Sequence, residues 1–200
     1  MQYEITAPTS FDTTIELPAS KSISNRALII HALSRGDIMP RHLSDCDDTE
    51  VTVNALNLMP EVIDIKAAGT AMRFLTAYLS VTPGTRAITG TERMRHRPIG
   101  ILVDALRRLG AEIEYTATEG FPPLRVTGHN LRGGTLELPA NVSSQYISAL
   151  LMIAPQMEQG LTLRLAGDIV SRPYIDMTLA IMGSFGARAG WADDHTLKVN

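Results

Sequence analysis

Two stretches place positive charge and hydroxyls where helices are expected to begin. In "LPASKSISNRALIIHALS" (17–34), Lys21 directly precedes a predicted helix over 22–34, and Arg26 lies one turn on, at the i+4 position facing Ser22. In "NVSSQYISALLMIAP" (141–155), Ser143 and Ser144 open a further predicted helix, with Gln145 beside them. Arg95 and Arg97 precede Pro98, and Arg172 precedes Pro173. A helix start carries unpaired N–H donors and about half a positive charge, so a cation there costs roughly 0.3–1 kcal/mol unless an anion lies between. Hydroxyls, backbone donors and cations gathered at several helix starts fit a phosphate or carboxylate. The plainer alternative treats Ser22, Ser143 and Ser171 as N-caps and Lys21 and Arg26 as solvated surface cations. Recurrence in related modules favours the anion.

Those modules are visible as internal repeats. "ELPA" occurs at 16–19 and again at 137–140, each time leading through a serine-rich turn into an apolar segment. "RPIGILVDALRRLGA" (97–111) and "RPYIDMTLAIMGSFGA" (172–187) share an Arg-Pro start and a Gly-Ala end. Proline is preorganised for the first helical position, and glycine suits a left-handed cap. Short β-rich runs at 3–6, 13–17, 61–65, 85–90, 111–116, 123–128, 134–138, 161–167 and 196–199 alternate with predicted helices at 22–34, 48–58, 70–80, 98–109, 144–154 and 173–185. The helix over 98–109 is amphipathic, whereas "YISALLMIA" carries no charge and "ALIIHAL" only His31. Helices apolar on every side belong inside. The pattern predicts about three β/α modules with helices within and sheets outside.

Other signals are bland. The formal charge of -3 argues against a general nucleic-acid binder, and Cys46, alone of its kind, rules out a disulfide framework or a cysteine zinc site. "SDCDDTE" (44–50) reads as acids favoured at a helix start, and the histidines show no metal-ligand spacing. "AAGTAMRFL" (67–75) gives a Gly-Thr turn into a helix without the ending of a P-loop. The first residues lack the basic and apolar regions of a signal peptide, and no apolar run is long enough for a bilayer. A cytoplasmic protein is expected.

Together "LPASKSISNRALIIHALS", "AGTAMRFL", "RMRHRPIGILVDALRRLGA", "NVSSQYISALLMIAP" and "VSRPYIDMTLAIMGSFGA" resemble the 5-enolpyruvylshikimate-3-phosphate synthase family. The related UDP-N-acetylglucosamine enolpyruvyl transferases have a reactive-cysteine loop that this sequence lacks. The resemblance implies an inside-out α/β barrel domain of three pseudo-symmetric β/α repeats with buried helices. It places residues 14–200 in this substrate-binding domain and 1–13 with a second domain, the protein's own C-terminal partner. It implies transfer of the enolpyruvyl group of phosphoenolpyruvate to shikimate 3-phosphate, with no cofactor, metal, nucleic acid or membrane. It assigns shikimate 3-phosphate to Ser22, Arg26, Ser143, Ser144, Ser171 and Tyr174, and phosphoenolpyruvate to Gly69 and Arg97, with Arg73 in support. Lys21, as a charge clamp and proton-transfer group, and Gln145 would touch both. The sequence departs from the family pattern at Ala67, commonly asparagine, and at Phe74, commonly proline.

Overall fold

The computed structural model describes residues 3–4, 6–34, 36–37 and 39–200. Helices α1 (Lys21–Ser34) and α2 (Asp47–Leu58) come first. Strand β1 (Val62–Asp64), helix α3 (Gly69–Ser80), β2 (Gly84–Thr89), the short α4 (Glu92–Arg95), α5 (Gly100–Arg108), β3 (Glu112–Tyr115) and β4 (Leu124–Gly128) follow. The last third holds β5 (Gly134–Pro139), α6 (Ser144–Ile153), β6 (Leu161–Ala166), α7 (Arg172–Ser184), β7 (Ala189–Trp191) and β8 (Thr196–Val199).

The strands form two four-stranded sheets of the same topology, β1-β2-β4-β3 and β5-β6-β8-β7. In each, the first pair is parallel, bridged by a buried helix, and the remaining pairs are antiparallel. The internal repeat is thus a β-α-β-α-β-β unit in two complete copies, while the expected third copy has only α1 and α2 among the described residues. The strand expected over 3–6 includes Ile5, which lies outside the described residues, and 13–17 forms no strand.

Helices occupy the centre. Every residue of α3 except Tyr78, and every residue of α6 except Gln145, is buried. These two helices pack on each other and on α1. By contrast α5 buries only the stripe Leu102, Val103, Ala105 and Leu106. The strands alternate: in β5 and β6, Leu136, Leu138, Leu163 and Leu165 point inward and their neighbours outward. Sheets with one solvated face wrapped around apolar helices give the inside-out arrangement that the charge-free helices predict. Among the described residues, no helix is long and apolar enough to cross a membrane.

Helices α5 and α7 end alike. Gly110 and Gly186 have φ of 106° and 84°, and the following Ala111 and Ala187 donate back to Leu106 and Met182. Both closures are the six-to-one bond of a Schellman cap, which needs a left-handed residue. Their starts differ. Pro173 lies in the first turn of α7, but α5 begins only at Gly100. Pro98 stands before the helix because its carbonyl accepts from Arg73 at 3.0 Å and from Tyr146 at 2.9 Å.

Candidate anion-binding site

Because α1, α3 and α6 pack together with their starts at one end, their first turns share a cleft of about 300 Å³. Lys21, Ser22 and Arg26 enter it from α1, and Thr70 from α3. Ser143, Ser144 and Gln145 come from the start of α6, and Tyr174 from α7. Seven of the residues singled out in the sequence therefore meet at one place. The caps are sparse. Ser143 accepts from the Gln145 N–H at 3.3 Å, but α3 starts without a side-chain cap. Ser20, not Ser22, occupies the capping position of α1, with Oγ 3.4 Å from the Ile23 nitrogen, so the Ser22 hydroxyl is released from that task.

Arg26 is the unusual member. It is only 2% exposed, yet all its hydrogen-bond partners are neutral. Nε donates to Thr178 Oγ1 at 2.7 Å, one terminal nitrogen to the Ser22 carbonyl at 3.1 Å, and the other to Ser148 Oγ at 2.9 Å. Its guanidinium carbon also lies 5.2 Å from the Phe74 ring centre and 5.8 Å from that of Tyr174. Burial pushes its pKa down to about 10, only partly opposed by Tyr174. Among the described residues no carboxylate pairs with it. A buried cation without an anion is an expensive arrangement. Three of its five N–H donors are used, which leaves two for a guest.

Lys21 is held more loosely. Its ammonium lies 3.7 Å from Asp48, with half its side chain exposed. Such a pair is worth at most about 1 kcal/mol, so Lys21 is free to turn to a ligand. Asp48, read in the sequence only as a helix-start acid, is thus the acid beside Lys21. Thr70 belongs to the cleft, accepting from Gln145 Nε2 at 3.3 Å. The Gly-Thr turn of "AAGTAMRFL" was its signal. Ser148 and Thr178 were not legible as Arg26 partners. Their only trace is polarity inside otherwise apolar segments.

Next to Thr70 the surface continues into a second cleft of about 420 Å³, lined by Ala67, Arg93, Met94 and Arg97. The Arg97 guanidinium lies against Gly69 so closely that a Cβ there would overlap it. Arg73 supports this side from within, donating to the Gly69 carbonyl at 3.0 Å as well as to Pro98. Burial holds its guanidinium below its ordinary value; Tyr146 opposes this, and the neighbouring Arg97 charge adds to it.

Other residues are placed elsewhere. Ser171 stands at the start of α7, outside the cleft lining, and its side chain makes no capping bond. Arg172 lies over Trp191 at 4.1 Å and donates to the Asp194 carbonyl, so it does not serve the anion cleft. Arg95 is drawn to the Gly90 carbonyl at 3.2 Å. Cys46 is half-buried at the start of α2, with Thr49 Oγ1 3.4 Å from its sulfur. Among the described residues no cluster of His, Cys, Asp or Glu is arranged for a metal. A further cleft, between the far ends of α1, α6 and α7, has no charged lining residue.

Comparison with known proteins places the family and the fold. The family model described as EPSP synthase (3-phosphoshikimate 1-carboxyvinyltransferase) matches residues 5–62 and 57–200. A 3-phosphoshikimate 1-carboxyvinyltransferase of Bacteroides fragilis is 64% identical over 200 residues, which cover all of this chain and 49% of the relative. One from Shewanella halifaxensis is 41% identical over 199 residues, covering 86% of this chain and 47% of its own length. The chain spans about half the length of the curated relatives it matches. Among solved structures, an EPSP synthase from Acinetobacter baumannii superposes with a TM-score of 0.81 at 22% identity, over 92% of this chain and 46% of that one. That likeness establishes the fold.

Proposed function

The chain belongs to the EPSP synthase family, and from that premise we propose that it forms the shikimate 3-phosphate half-site of an enolpyruvyl transferase. The observation that carries this is the Arg26 guanidinium, buried with neutral partners at a point where three helix starts converge. A phosphate dianion supplies the missing charge and accepts from the remaining donors.

In this reading Ser143 and Ser144 hold the phosphate, with Ser22 and Arg26 completing the contacts to shikimate 3-phosphate. Tyr174 packs on its ring, and Ser171, at the start of the same helix, reaches the same phosphate. Gly69 and Arg97 bind phosphoenolpyruvate in the adjoining cleft, positioned by Arg73. Gln145, tied to Thr70, and Lys21 stand between the two substrates. The 5-hydroxyl oxygen bonds to C2 of phosphoenolpyruvate while C3 takes up a proton and the hydroxyl proton is released. Loss of a proton from C3 together with inorganic phosphate from C2 then restores the double bond. Arginines and helix starts on the phosphates stabilise the charge that builds at the leaving group.

The relatives are twice as long, and the proposal assigns the remaining acid–base and cationic groups to a second domain. Residues 14–200 form the half-site domain, and the segment 1–13, part of which lies outside the described residues, belongs with the second domain. The 200-residue chain alone is then expected to give no turnover. The test supplies the C-terminal half of the Bacteroides fragilis relative in trans and measures phosphate release from phosphoenolpyruvate with shikimate 3-phosphate. Release that needs both halves supports the reading. Failure to release phosphate, with equal binding of sulfate and shikimate 3-phosphate, points instead to a non-catalytic anion-binding module. Preference for a UDP-sugar would indicate the nucleotide-sugar branch.

A further inference from the structure

Arg26 has one contact whose partner no substrate role explains. Phe74 is fully buried on α3, one turn past Thr70, and its ring centre lies 5.2 Å from the Arg26 guanidinium carbon. The other ring near that guanidinium, Tyr174, is 45% exposed at the rim and belongs to the ligand's side. With no carboxylate on Arg26 among the described residues, Phe74 is a permanent source of negative potential for a charge that water does not reach. Ser148 and Thr178 fix its nitrogens from α6 and α7, and the ring fixes its plane from α3.

We propose that Phe74 is a positioning residue: its ring face holds the Arg26 guanidinium charged and oriented for the incoming phosphate through a cation–π contact. The ligand part of this rests on the proposed function, whereas the contact itself does not. A cation over an aromatic face gains most when both are desolvated, as here. Because Phe74 shares α3 with Gly69 and Thr70, the same contact ties the phosphoenolpyruvate side to the helix that carries Lys21 and Ser22.

Fluorinating Phe74 tests this with little change in size. Each added fluorine weakens the negative face of the ring and leaves its packing nearly intact. Phenylalanine, monofluoro-, difluoro- and pentafluorophenylalanine are placed at 74 in the 200-residue chain, alone and with Arg26→Met. In the free protein, the unfolding equilibrium constant is expected to rise steadily with fluorination, by about 5- to 30-fold across the series. With Arg26→Met that trend disappears, as a double-mutant cycle requires of a direct pair. In the ligand arm, shikimate 3-phosphate affinity is expected to drop by a similar factor along the same series. A trend of equal slope in both backgrounds, or none in either, overturns the proposal. Intact coupling in the free protein with no shikimate 3-phosphate binding by the unaltered chain would retain the contact and reject the functional reading and the ligand-positioning role together.

Discussion

Replacing Arg26 with methionine is expected to stabilise the fold and to remove shikimate 3-phosphate binding. Burial lowers the arginine from its ordinary value to about 10, so keeping it charged in the folded chain costs about 3 kcal/mol at neutral pH. Methionine fills similar space without that charge. It also strands nothing, because Ser148 and Thr178 are 2.9 Å apart and bond to each other, and Thr178 donates to the Tyr174 carbonyl at 2.8 Å. Lost cation–π and hydrogen-bond contacts offset part of the gain, leaving about 1–2 kcal/mol, or roughly 2–8 °C in melting temperature. The sign reverses the usual carboxylate case. The penalty is complete below the folded-state value of about 10. It is relieved as pH rises toward the unfolded value, because the unfolded chain keeps a proton that the folded one has shed. The advantage of methionine should therefore shrink above that pH. Affinity for shikimate 3-phosphate is expected to fall at least about 100-fold, the loss of two charge-assisted hydrogen bonds. Calorimetry and ligand titration on the same two proteins measure both effects. A destabilised variant that still binds would make Arg26 a structural residue.

The second large effect separates two identical tetrapeptides. Leu17 and Leu138 hold the same place in "ELPA", but Leu17 is 85% exposed and Leu138 only 4%. Leu138 pairs with Leu165 across the parallel β5–β6 ladder and faces the helices. Leu138→Ala is expected to cost about 3 kcal/mol as transfer and cavity terms add. Leu17→Ala should change stability by less than about 0.5 kcal/mol. Denaturant unfolding of the two variants in the 200-residue chain decides it. Equal costs would mean that 13–17 packs as a strand in solution.

That contrast marks how far the sequence could be read. A strand is completed by its neighbour, and nothing in "TTIEL" states whether the neighbour is present. Helix interiors are different: "YISALLMIA" has no polar face to expose, so its burial follows from composition alone. The glycine caps at Gly110 and Gly186 were legible for the same local reason. Strand β7, "AGW", has no β pattern and forms because β8 pairs with it and Trp191 is anchored by Arg172 and by Asp176, whose Oδ1 accepts from Nε1 at 2.7 Å.

The site divides in the same way. Lys21 and Arg26 could be singled out because cations at helix starts conflict with the dipole unless an anion joins them, Ser22, Ser143 and Ser144 because hydroxyls recur at such starts, and Gln145 only through the family resemblance. Arg95 and Arg172 carry the same signature and are claimed by a carbonyl and an indole, partners that only the folded chain supplies. Phe74 stood out only as a departure from the family pattern. Its position under Arg26 gives that departure a physical content.

The most direct measurement is a titration of the 200-residue chain with shikimate 3-phosphate, following backbone amide resonances at low and high salt. Saturable shifts are expected at residues 21–26, at Thr70 and at 143–145, with millimolar affinity that weakens as salt screens the phosphate. Sulfate should compete only at higher concentration. Unmoved amides at those helix starts with millimolar ligand present, or shifts scattered over the sheet faces, would contradict a preformed half-site.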